Sequence, residues 1–175
     1  MTRSKLSRRA FLLTATSTGL LLAGCADTDR NTTPAFYRNL AEPGARFDPN
    51  TMLTMVNGHR TNNGRRPVVL EPRLMALAQG YARETGDRAR QSPTVRPDGR
   101  LDIRLTGAGY DAEDVRETVT AGYYTIAEAF SGWRDSSQHN ATMLMEQAAH
   151  MGVAAQFMPN TKYKVYWVLV MAQPA

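Results

Sequence analysis

Two β-rich runs close the chain, "HMGVAAQFM" (150–158) and "KYKVYWVLVMAQ" (162–173), and only "PNT", with Pro159 and Asn160, stands between them. Extended runs joined by such a turn predict a β-hairpin. Upstream, helical patterns come before and between a few short extended segments, without regular strand-helix alternation. That order excludes a doubly wound parallel sheet and predicts an α+β sandwich. With 175 residues, 42% of them hydrophobic, the chain can bury one real core.

The helices can be placed from their ends. "DPNTMLTMVNGHRTNNG" offers Asp48 as N-cap and Pro49 at the first helical position, then Met52, Met55, Val56 and His59 at helical spacing, with Gly64 as the stop. After an extended "PVVL", Pro72 opens a second helix with Leu74, Leu77, Ala78 and Tyr81 on one face. "QSPTVRPDGR" is loop, "LDIRLTGAGY" a short helix closed by Gly107 or Gly109, and "DVRETVTAGY" a short strand carrying Val115, Glu117 and Val119. "TIAEAFSGWRDS" is an amphipathic helix with Ile126, Phe130 and Trp133 inward, and the nine Met residues suit an adaptable core.

Charge separates the N-terminus from the rest. The formal net charge is +5, but of 21 Lys and Arg, four (Arg3, Lys5, Arg8, Arg9) lie in a leader without acids, leaving 17 against 16 Asp and Glu. No basic, aromatic stripe for nucleic acid remains. The leader is a positive segment followed by "FLLTATSTGLLLA", too short to span a bilayer comfortably, which predicts an export signal over residues 1–24. "SRRAFLL" matches a twin-arginine motif through Arg8 and Arg9. "LLAGC" resembles a bacterial lipobox, so Cys25, the only cysteine, is expected to be acylated, and Ala26 after it favours the outer membrane in a Gram-negative cell. Residues 25–47, polar with Pro34, Pro43 and Gly44, then read as a tether, and 48–175 as the domain.

Several stretches resemble, in order, the blocks of the CAP superfamily (cysteine-rich secretory, antigen 5 and pathogenesis-related proteins) in its bacterial SCP-like form. They are "VNGHRTNNGRRPVVLEPRLMALAQGYA", "RLTGAGY", "RETVTAGY", "EAFSGWRDSSQH" and "MGVAAQF…YKVYWVLVMA". The resemblance implies an α-β-α sandwich with a small antiparallel sheet flanked by helices. It also implies a cleft that in many members is lined by two His and two Glu able to hold a divalent metal. Here His139 matches the second His through Trp133, Ser136 and His139, and Glu117 matches the first Glu, although Thr118 stands where the family has Asn. The first His falls near Val95 and the second Glu on Ser136. Two donors are too few for zinc, so neither a metal nor another cofactor is expected.

The cleft candidates are therefore Glu117 and His139. The alternative for His139 is a helix-start residue bonded to Glu117 or to backbone. Ser136 and Ser137 suit helix capping better than nucleophilic catalysis, which needs an oriented base and an oxyanion site. His59, His150 and Glu128 read as structural or solvated. The expected function is a monomeric, lipid-anchored envelope module that binds a ligand or partner, with lipid or cell-wall components as candidates, and not an enzyme. A hydrolase or protease using the cleft and a scaffolding protein are the alternatives.

Overall fold

The structure is a computed structural model that describes residues 33–175. The expected export signal over residues 1–24, with Arg8 and Arg9, and Cys25 lie outside the described residues. Five α-helices and four strands follow in the order α1 (Pro49–Asn62), β1 (Val69–Leu70), α2 (Pro72–Ala89), α3 (Leu101–Gly107), β2 (Ala112–Ala121), α4 (Ile126–Asp135), α5 (Ser137–Met143), β3 (His150–Phe157) and β4 (Val165–Pro174).

Local chemistry sets most of these boundaries. Asp48 caps α1 by accepting from the Asn50 amide at 3.0 Å and the Thr51 hydroxyl at 2.6 Å, with Pro49 first in the helix. Beyond its C-terminus Gly64 takes φ +70°. Glu71 caps α2 through the Leu74 amide, and α4 begins with a capping box in which Thr125 and Glu128 serve each other's backbone. Glu128 is thus a helix-start carboxylate, neither a cleft group nor a freely solvated one.

The sheet order is β1-β3-β4-β2. β2, β4 and β3 pair antiparallel, but β1 runs parallel to β3, with Val69 opposite His150. The sheet is therefore mixed, a correction to the expected antiparallel one. A parallel pair needs a long crossover, and the residues between β1 and β3 provide it.

β4 is buried from Val165 to Ala172, and its alternating side chains feed two cores. Trp167, Leu169 and Met171 meet Met52, Val56, Ile126 and Trp133 of α1 and α4. Val168, Val170 and Ala172 meet Leu74, Leu77, Ala78 and Tyr81 of α2, together with Leu105 of α3. This is the α-β-α sandwich. The helix α2 lies so close to β3 that a Cβ on Gly152 would stand 2.2 Å from the Leu74 carbonyl oxygen.

Part of the expected tether belongs to this domain. Leu40 is buried and Phe36, Ala41, Ala45 and Phe47 pack on the α1/α4 core. The Leu40 amide donates to the Tyr124 carbonyl at 2.8 Å, and Phe47 meets Trp167 edge-on at 5.4 Å. The prolines and glycine that suggested a linker shape a packed segment, because these apolar side chains have a core to enter.

Candidate ligand-binding cleft

β2 forms one edge of the sheet, and a cleft of about 430 Å³ opens beside its C-terminal end. Val119, Thr120 and Ala121 form one wall, and Val95, Arg96 and Pro97 of the α2–α3 loop form another. Tyr123, Tyr163 of the β3–β4 turn, and Gln138 and His139 of α5 complete the lining. Arg96 is the only lining residue with a fixed charge.

Each element places its side chain for a local reason. Ser136 has extended backbone between α4 and α5, which ends one helix and starts the next, so His139 falls in the first turn of α5. The Ser136 hydroxyl makes no capping bond, in contrast to the expected role. Thr120 is held by the buried Trp133 indole, which donates to its hydroxyl at 3.0 Å. Tyr123 lies across α4 at Gly132, where a Cβ would stand 2.2 Å from the tyrosine oxygen. Any larger residue at 132 would displace that wall.

His139 is half-buried, and its Nδ1 is enclosed without a hydrogen-bond partner. Burial lowers its pKa, so the imidazole is neutral at pH 7. A neutral imidazole with an unpaired nitrogen can accept or donate one hydrogen bond.

Glu117 has a different environment. Arg104 donates to both its carboxylate oxygens, at 3.0 and 3.3 Å, and to Asp98 at 2.8 Å, while its guanidinium lies 3.5 Å above the Tyr81 ring. The Tyr81 hydroxyl accepts from the Asp98 amide. Burial would raise the Asp98 pKa, but hydrogen bonds from Arg104 and the Arg100 amide, with the charges of Arg104 and Arg88, bring it down to about 2. Glu117 shares the same arginine at longer range, and its burial outweighs that attraction, so its pKa is raised.

Glu117 does not line the cleft, and its hydrogen bonds go to Arg104, not to His139. Among the described residues no group of three His, Cys, Asp or Glu side chains could hold a metal ion. The donor set does not fit a divalent cation: one carboxylate is neutralised by arginine, one imidazole stands alone, and Val95 contributes no donor atom.

The other histidines bridge elements. His59 Nε2 lies 2.7 Å from Asn140 Oδ1, tying α1 to α5, and His150 Nδ1 lies 2.7 Å from the Tyr110 hydroxyl. The Asp98–Arg104–Glu117 network had no sequence signal, since Asp98 lies in an irregular loop. A second missed residue, Arg60, did have one, because it follows Met52 and Val56 at four-residue spacing on the buried face of α1.

A family model described as "CAP: Cysteine-rich secretory protein family" matches residues 53–171. Comparison with curated protein sequences found no match. Among solved structures, an outer surface protein from Borrelia burgdorferi is similar with a TM-score of 0.61 and 14% identity, covering 73% of this chain and 92% of that one. An extracellular SCP-domain protein from Bacillus anthracis gives 0.57 and 19%, covering 71% of this chain. A cysteine-rich secretory protein from Staphylococcus aureus gives 0.55 and 17%, covering 72% of this chain. The chain spans 39% of the length of each of the last two. At these identities the likeness shows the fold alone.

Proposed function

The chain belongs to the cysteine-rich secretory protein (CAP) family, and on that premise we propose that it is an exported, lipid-anchored envelope protein that binds a small ligand in the cleft beside His139. The observation that carries this reading is a cleft in which the neutral imidazole of His139 stands with Arg96, Thr120, Gln138 and two tyrosines beside the apolar Val95, Pro97 and Val119. Polar side chains that converge on a concavity with apolar walls between them can fix the orientation of a bound ligand.

Export rests on the leader, and its lipid form on Cys25 within "LLAGC". Two of the structural neighbours are described as extracellular and outer-surface proteins, which supports an envelope location. Small lipids and cell-wall fragments are the candidate ligands by that location. Turnover has less support, because the Ser136 and Ser137 hydroxyls make no hydrogen bond to His139 and Glu117 is committed to Arg104.

Titration of the isotope-labelled protein with a muropeptide and with a lysophospholipid, read by amide NMR shifts, tests binding. Shifts are expected at Val95, His139 and Tyr163 with one of the two, weakened at least tenfold in His139→Ala. Absence of shifts with both, or undiminished binding by His139→Ala, would overturn the cleft assignment. Anchoring is tested separately by Cys25→Ser, which should release the protein from membranes.

A further inference from the structure

We propose that the face bearing the Phe36–Tyr37 pair docks on the headgroup region of the bilayer in which Cys25 is anchored; this rests on the anchoring reading above. The first packed element after Cys25 is the single turn Ala35–Tyr37. Nine residues lie between Cys25 and Ala35, so ten Cα–Cα steps join them. Ten such steps reach at most about 35 Å when fully extended. A domain of this size has a radius of gyration of about 14 Å. So short a connection holds the side of the domain where it attaches against the membrane.

That side carries suitable chemistry. Tyr37 is 59% exposed, and its ring centroid lies 4.5 Å from that of Phe36. Phe36 packs on the α1/α4 core, so the pair is rooted in the domain and presents a rigid aromatic edge. Tyrosine, with an apolar body and a polar tip, prefers the membrane–water interface. Arg38 and Arg46 of the same segment are exposed and form no ion pair among the described residues, with Glu42 as the exposed acid between them. Both arginines are exposed and carry the charge that lipid phosphates attract. The other large exposed apolar side chains, Val69, Ile103 and Phe157, stand on β1, α3 and β3, away from the anchored segment in the chain.

The test uses the full acylated chain in phosphatidylethanolamine–phosphatidylglycerol vesicles. Acylation consumes the Cys25 thiol, so Tyr37→Cys and, separately, Ile103→Cys each offer one site for an environment-sensitive fluorophore. The label at 37 is expected to be quenched by a lipid-borne quencher at least threefold more than the label at 103. The mass of the N-terminal peptide reports the anchor independently. An acylated peptide with equal quenching at both positions overturns the docking alone. An unmodified Cys25 overturns the anchoring and the docking together.

Discussion

Two arginines, one fully buried and one half-buried, lie on opposite sides of the sheet and are held in opposite ways. Arg60 of α1 is fully buried and gives its hydrogen bonds to four backbone carbonyls, those of Arg66, Met143, Met145 and Ala148. No carboxylate is among its partners. Arg104 of α3, on the other side, is held by two carboxylates and a tyrosine face. Carbonyls do not titrate, so the first arrangement ties α1 to the segment between α5 and β3 whatever the pH. The second depends on ionised acids and adjoins the cleft, because Asp98 follows the cleft-lining Pro97. Burial of a charge is therefore compatible with a fixed joint or with a pH-dependent one, and the partner decides which.

The largest effect should come from Arg60→Met, which leaves the carbonyls of Arg66, Met143 and Ala148 without the guanidinium donor, while that of Met145 keeps the Ala148 amide. At about 1 kcal/mol or more each, a loss of at least about 3 kcal/mol is expected in urea unfolding. Arg60→Lys should not restore it, because an ammonium cannot reproduce the planar fork. Arg104→Gln should cost about 2 kcal/mol at pH 7 by leaving the half-buried Asp98 and Glu117 without their guanidinium partner. Unlike the Arg60 variant, it should approach wild type as the pH falls towards 3 and the acids take up protons. Equal pH profiles for the two variants would break the comparison.

Asp98→Asn sharpens it. A folded pKa of about 2 lies below the unfolded 3.8, so the ionised form stabilises the fold above pH 4, and this is lost as the pH falls towards 2. The contribution is about 2 kcal/mol at pH 7. Glu117→Gln should cost less, since burial raises that pKa and the fold disfavours its charged form above the unfolded value. Urea titrations at pH 3, 5 and 7 would rank the two.

The smallest effect belongs to His139→Ala, expected within about 1 kcal/mol at pH 7. Burial depresses its pKa, so the unfolded chain binds a proton more readily. Wild-type stability should therefore decline as the pH falls below about 6.5, and the variant should lack that part of the decline. Thermal melts from pH 5 to 8 read the slope.

Much of the fold was legible in the residues. The capped starts at Asp48–Pro49 and Pro72, the inward faces of α1, α2 and α4, and the C-terminal hairpin all follow from spacing and turn chemistry, which act over a few residues. Arg60 was readable too, as an apparent violation within an apolar stripe. The parallel pairing of β1 was not, since a two-residue strand carries no direction in its pattern. Nor was the docking of residues 36–47, whose prolines and glycine suit a linker as well as a packed segment.

The sequence by itself determined the helices, the hairpin and the α+β class, because periodicity and capping are local properties of the chain. It also carries, in residues 1–25, the linear pattern on which the proposed export and anchoring rest. Only the tertiary structure decided that Glu117 belongs to Arg104 and Asp98 while His139 faces a cleft without a partner. Those relations join loops and elements far apart in the chain, and electrostatic pairing depends on distances that residue order does not encode.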